Sequence, residues 1–299
     1  MSWRPILRRK TRHPAARTCA LAAAALALLA GCTAIKLSYN KLDWIAAWQV
    51  GRFVELEAPQ KALFDSGFRD FWDWHRGTQL SLYVKDLREL AAHSDQPLSR
   101  AEVENYLKRS QAHLGHVIEA MAPETARVLQ SFDDAQVQEL IENLAKRRRE
   151  KRDESAALSP EELQDEAQTQ FERQLKRWTG PLTREQRERI ARWSRDRTYA
   201  GTIWYQYQEA WAGEFARTLA HRHEPDFAKR LAGLFNGGKM PYGAKMQAVQ
   251  DKNRALWIAT MADLSAWLTD KQRKHLRASV GQLADDFEEL AAQPGRVQG

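Results

Sequence analysis

The densest grouping of chemically capable side chains in the sequence is Trp72-Asp73-Trp74-His75-Arg76, with Asp70 just before it. A carboxylate and an imidazole close together can do general acid–base work, so Asp70, Asp73 and His75 are candidates for a hydrolytic site. Two indoles beside a guanidinium form instead a platform for a sugar or a peptide, which makes Trp72, Trp74, His75 and Arg76 candidate partner-binding residues. The plainer alternative is an amphipathic helix end whose His75 and Arg76 complement the C-terminal dipole. His113, His116 and Glu119 follow at steps of three, a spacing that lines up two imidazoles and a carboxylate in a metal-ligating combination. His221-x-His223-Glu224, just before Pro225, offers a similar set. Ordinary surface rows and helix ends produce both patterns, and the expectation is that the protein holds no metal and no cofactor. The sequence contains no HExxH, no GxSxG and no phosphate-cradling glycine loop.

Whether these groups meet a nucleic acid, a lipid or a protein depends on the address. The 299 residues carry 46 Lys+Arg against 39 Asp+Glu, a formal charge of +7. Six of the cations (Arg4, Arg8, Arg9, Lys10, Arg12 and Arg17) fall in the first 31 residues, which contain no acid. Without that stretch 40 bases face 39 acids, so the basic field that phosphate binding needs is missing. Residues 1–31 read as a secretory leader: the basic segment is followed by an apolar run at 19–30, too short for the ~20 residues of a membrane span. The run ends in Leu29-Ala30-Gly31-Cys32, which resembles the bacterial lipobox, so Cys32 is the expected lipid attachment site. Thr33 rather than Asp follows the cysteine, and resemblance to the sorting of enteric lipoproteins then implies that the remainder, 32–299, faces the periplasm from the outer membrane. A triacylated terminus anchors stably. Cys32 is then the sole thiol of the processed chain, which excludes an internal disulfide and thiolate chemistry. In that compartment the run Lys146-Arg147-Arg148-Arg149-x-Lys151-Arg152 can meet anionic headgroups or simply form a solvated helix tail.

The elements that position these groups read as helices. Five segments pair an N-cap residue with Glu or Gln three positions on: Ser99/Glu102, Asp133/Gln136, Ser159/Glu162, Thr183/Gln186 and Thr269/Gln272. Each is a capping box. In the first three an apolar residue before the cap faces Val103, Val137 or Leu163 as a hydrophobic staple. The prolines after the leader, Pro59, Pro97, Pro123, Pro160, Pro181, Pro225, Pro241 and Pro294, are expected at helix boundaries. Asn236-Gly237 sits in a loop between helices. Ala200, Trp204, Tyr207, Trp211, Phe215 and Leu219 recur at steps of three and four, as do Val249, Asn253, Leu256, Thr260, Leu264 and Trp267. Such stripes are hidden only against one another. The spacing therefore predicts an all-α multi-helix bundle, either single or in two packed halves divided near residues 147–157. Most tryptophans should anchor the core, while Trp204, Trp211 and Trp257 are candidates for an exposed groove that takes a partner.

Further motifs support a resemblance. Cys32-Thr33-Ala34-Ile35-Lys36, Tyr39-Asn40-x-Leu42-Asp43-Trp44 with Trp48, Trp74-His75-Arg76 with Leu80 and Tyr83, and Arg177-Trp178-x-Gly180-x-Leu182-Thr183-x-x-Gln186 together resemble a proteobacterial lipoprotein family known as a domain of unknown function. The resemblance implies a helical envelope lipoprotein and transfers no catalytic residues. Leu182-Thr183-x-x-Gln186 and Leu268-Thr269-x-x-Gln272 are also similar to the boxes of Spy-type periplasmic chaperones, which implies a client-binding role. This chain departs from that pattern in its length, its lipid anchor and its tryptophan content. The functional expectation is a non-enzymatic, membrane-tethered protein that binds a periplasmic partner or client. An envelope hydrolase using Asp70, Asp73 and His75 is the alternative.

Overall fold

Five of the described helices begin where a cap side chain accepts one of the first free backbone donors. The computed structural model describes Tyr39, residues 41–236 and residues 243–293; residues 1–31, Cys32, Gly237, Pro241 and Pro294 lie outside them. The helices are α1 (Leu42–Val50), α2 (Ala58–Trp74), a π-helical turn (His75–Gln79), α3 (Leu80–His93), α4 (Arg100–Gln130), α5 (Asp134–Ala156), α6 (Pro160–Thr179), α7 (Arg184–Asp196), α8 (Gly201–Ala220), α9 (Phe227–Phe235), α10 (Gly243–Ala266) and α11 (Asp270–Ala292). No strand occurs among the described residues, and the fold is an all-α multi-helix bundle. Among them no helix is long and apolar enough to cross a membrane. All five capping boxes form, at the starts of α4, α5, α6, α7 and α11. At the start of α2, Gln60 likewise accepts the Glu57 N–H at 2.9 Å.

Four of these boxes interlock in pairs. Gln186 and Gln272 bond each other through both amides, at 3.0 and 2.9 Å. Gln186 also donates to the Trp267 carbonyl, and Gln272 to the Pro181 carbonyl. Each of those carbonyls lies two residues before the opposite cap. Gln60 and Gln136 repeat the pattern: they exchange bonds of 2.7 Å and donate to Ser131 and Glu55, again two residues before the opposite caps. Two helix corners are thus clasped at each place, and a core cluster lies beside each clasp. One gathers Leu129, Phe132, Leu140, Phe215, Leu219 and Leu231, with their neighbours, between α4, α5, α8 and α9. The other centres on Leu175, Ile190 and Leu264 between α6, α7 and α10. From Leu42 onward the chain forms one compact unit, in which residues 147–156 are the last turns of α5.

Two expectations need correction. Pro123 lies inside α4, not at a boundary. It leaves the Glu119 carbonyl without its helical donor, and both residues are exposed, so water can take that bond. His75 and Arg76 do not end a helix either. The chain continues through the π turn into α3, and Thr78 Oγ1 donates to the Trp74 carbonyl at 2.7 Å within it. The stripe on α8 is fully buried at Leu219 and reaches the surface at Trp204. On α10, Asn253 clamps the start of α8 by bonding both the N–H and the carbonyl of Thr198 at 2.8 Å.

Candidate functional site

The end of α2 and the π turn carry the cluster singled out in the sequence. Trp72, Trp74 and His75 are half-buried, whereas Asp70 and Asp73 are exposed and Arg76 is buried. At about 100° per residue, Asp73 sits roughly 200° round the helix from His75 and Asp70 roughly 140°. The carboxylates and the imidazole therefore diverge. The His75 ring stacks on Trp72, with centroids 5.3 Å apart and planes within 5°. Its Nε2 lies 3.4 Å from the Tyr83 hydroxyl. Burial lowers the His75 pKa, disfavouring the imidazolium, and raises that of Tyr83.

Tyr83 continues the ladder. Its ring packs edge-on against His113 at 5.0 Å and leans on Phe287 of α11. His113 Nε2 lies 2.9 Å from Asp86, and Arg109 bridges Asp86 at 2.9 Å and Glu89 at 2.8 and 3.0 Å. The Arg109 guanidinium holds Glu89 below the usual carboxylate range, and the same bond raises the Arg109 pKa. Asp86, Glu89 and Arg109 were not singled out in the sequence. Their signal is two facing rows, i,i+3 on α3 and i,i+4 on α4, which becomes visible only once the helices are known to be neighbours. His113 thus turns to a carboxylate, while His116 and Glu119 are exposed. No cluster of metal-ligating side chains occurs among the described residues. His221 lies 2.7 Å from Glu224, which also pairs with Arg230. In the basic run, Arg148 faces Glu209 and Lys151 faces Glu154.

The aromatic candidates serve different ends. Trp211 stacks on Phe215 at 5.2 Å and on Phe235 at 6.1 Å, and its indole N–H donates to the Leu234 carbonyl. That is a core anchor. Trp204 stacks on Tyr207 at 5.9 Å and is 39 % exposed. Trp257 is half-buried on α10.

A third feature could not be read from the sequence. A half-open pocket of about 410 Å³ lies between α1, α2, α4, α5, α8 and α9. Three helical stripes form most of its wall: Ala46, Gln49 and Val50 on α1; Phe64, Gly67, Phe68 and Phe71 on α2; Met121, Thr125 and Val128, with their neighbours, on α4. Helices α2 and α4 run antiparallel, since Gln60 meets Ser131 while Gly67 meets Glu124. Gly67 permits that approach: a Cβ there would stand 2.6 Å from Glu124 Oε2 and 3.0 Å from its Cβ.

Residues 52–240 match the model of a family of unknown function, DUF6279. The chain belongs to this family. The match takes in the π turn, the Asp86–Arg109 ladder and every pocket residue except those three on α1. No curated protein and no solved structure matches the chain.

Proposed function

We propose that the protein is a lipoprotein of the bacterial envelope, tethered to the outer membrane through Cys32, whose helical body faces the periplasm and binds a protein partner instead of catalysing a reaction. The observation that carries this reading is how the side chains are used. Acid–base groups are tied off in pairs (Asp86 with His113, Glu89 with Arg109), while Trp204, stacked on half-buried Tyr207, stays at the surface. The exposed indole leaves apolar area that a partner can cover, and tryptophan and tyrosine are over-represented among residues that dominate binding energy. Trp204 is therefore the proposed centre of the contact, with Trp72, Trp74 and His75 as a second half-buried aromatic surface and Trp257 further along α10. Arg76 is buried, so it is not part of the surface that a partner can reach.

The Leu-Thr-x-x-Gln boxes do not themselves argue for a chaperone. Gln60 and Gln136 make the same clasp without Leu-Thr before them, so the box reflects corner geometry. The reading is tested with a photo-crosslinking phenylalanine analogue placed at position 204, and at position 211 as a core control, in cells making the full chain. A discrete cross-linked species from position 204 and none from 211 is expected. Equal capture at both positions, or none at 204, would overturn it.

A further inference from the structure

We infer that the pocket between α1, α2 and α4 is a binding site for a single aliphatic chain, that of a fatty acid or of a membrane lipid. Its volume of about 410 Å³ lies within the roughly 300–1,000 Å³ of small-ligand sites. It is well over twice the ~150 Å³ of an engineered apolar cavity that stays dry yet takes up benzene. Water is a poor occupant, because the lining is apolar except for Gln49, Glu124 and Thr125. Glu124 is already bonded to Arg127 at 2.8 Å, and Gln49 accepts from Arg52.

Shape separates the remaining occupants. Along α4 the wall passes from exposed Met121 to buried Val128 and Leu129, a depth of about 12 Å at 1.5 Å per residue. A helix about 10–12 Å across takes up about 410 Å³ in roughly one turn, much less than a groove-docked helix presents. A flexible chain can follow the whole depth. Phe132, Leu140 and Phe215 line the same pocket and are buried, and the polar Gln49 and Thr125 can meet a head group. The inference is independent of the Trp204 contact and of the lipid proposed at Cys32.

The test uses the full chain in membranes and a 16-carbon fatty acid carrying a diazirine at mid-chain. Labelling is expected to concentrate in residues 64–71 and 121–129. Unlabelled fatty acids of 8 to 18 carbons should compete with a potency that rises up to about fourfold per methylene, then levels off when the pocket is full. Thr125→Trp fills the channel and Met121→Trp blocks its rim without touching the floor. Both should abolish labelling of the two segments while the circular dichroism stays unchanged. Competition by the free acids but not by a lysophosphatidylethanolamine of matched chain identifies a fatty-acid site, and the reverse order identifies a lipid site. Labelling scattered over the chain, a potency that climbs with length without levelling, or labelling unaffected by both variants would overturn the inference.

Discussion

Each of the four clasping glutamines uses its whole amide: two donated bonds, one accepted from its own cap and one from the opposite glutamine. Gln186 is fully buried and Gln272 nearly so. Removing one partner leaves the other's polar atoms buried and unmet, which costs about 1–3 kcal/mol. Gln186→Ala should therefore lower the unfolding free energy read from urea denaturation by that amount, and adding Gln272→Ala should cost clearly less than a second equal step. Additive losses would mean that the two amides act independently. The boxes themselves were legible in the sequence, because cap and glutamine are three residues apart. Their pairing was not, since the partners stand 86 and 76 positions apart. The Glu57 box was missed because glutamate is a weak cap by composition. His75 makes a second prediction at this scale. Burial lowers its pKa from the ordinary 6.5, so below that value the unfolded chain binds the proton more readily. Its contribution is constant above about pH 6.5 and turns destabilising as the pH falls toward the folded pKa. Urea midpoints measured across that window should fall less steeply for His75→Phe than for the parent. Identical slopes would refute the assignment.

At the scale of elements, close approaches and irregular turns decide which surfaces meet. The π turn widens the helix where α11 packs against it and rotates α3 so that Tyr83 reaches both His75 and His113. Nothing in the periodicity of residues 75–79 announces this, because an i→i+5 turn preserves composition and shifts only the phase. Pro123 escaped for a related reason: a proline is tolerated inside a helix where its freed carbonyl faces water, and exposure is a tertiary fact. Gly67 is the most demanding position. Gly67→Ala should push α2 away from Glu124 and cost about 1–3 kcal/mol, more than the roughly 0.5–1 kcal/mol that alanine adds to a helix interior. Glu124→Ala in the same chain removes the carboxylate but leaves a Cβ at 3.0 Å, so partial recovery is expected in chemical denaturation. A Gly67→Ala protein more stable than the parent would show that the two helices can part freely at this point.

For the molecule as a whole, the all-α class followed from capping boxes and apolar stripes, which are local. The pocket did not, because a void belongs to no residue: its stripes on α1, α2 and α4 read like any other core stripe until their separation is known. The candidate site was half legible for the same reason. Trp72, Trp74 and His75 do stand together, but the carboxylates beside them diverge, and the ion pairs that matter come from a neighbouring helix. The account that results is a helical body, clasped at two places, whose place in the cell is proposed to depend on Cys32 and whose fold does not. The most direct measurement compares full-length Cys32→Ala with the parent by cell fractionation, with circular dichroism and urea unfolding of the two purified proteins. The account predicts that the variant leaves the outer-membrane fraction for the periplasm with the same helicity and midpoint. A variant that stays in the membrane fraction, or one released only as an unfolded chain, would contradict it.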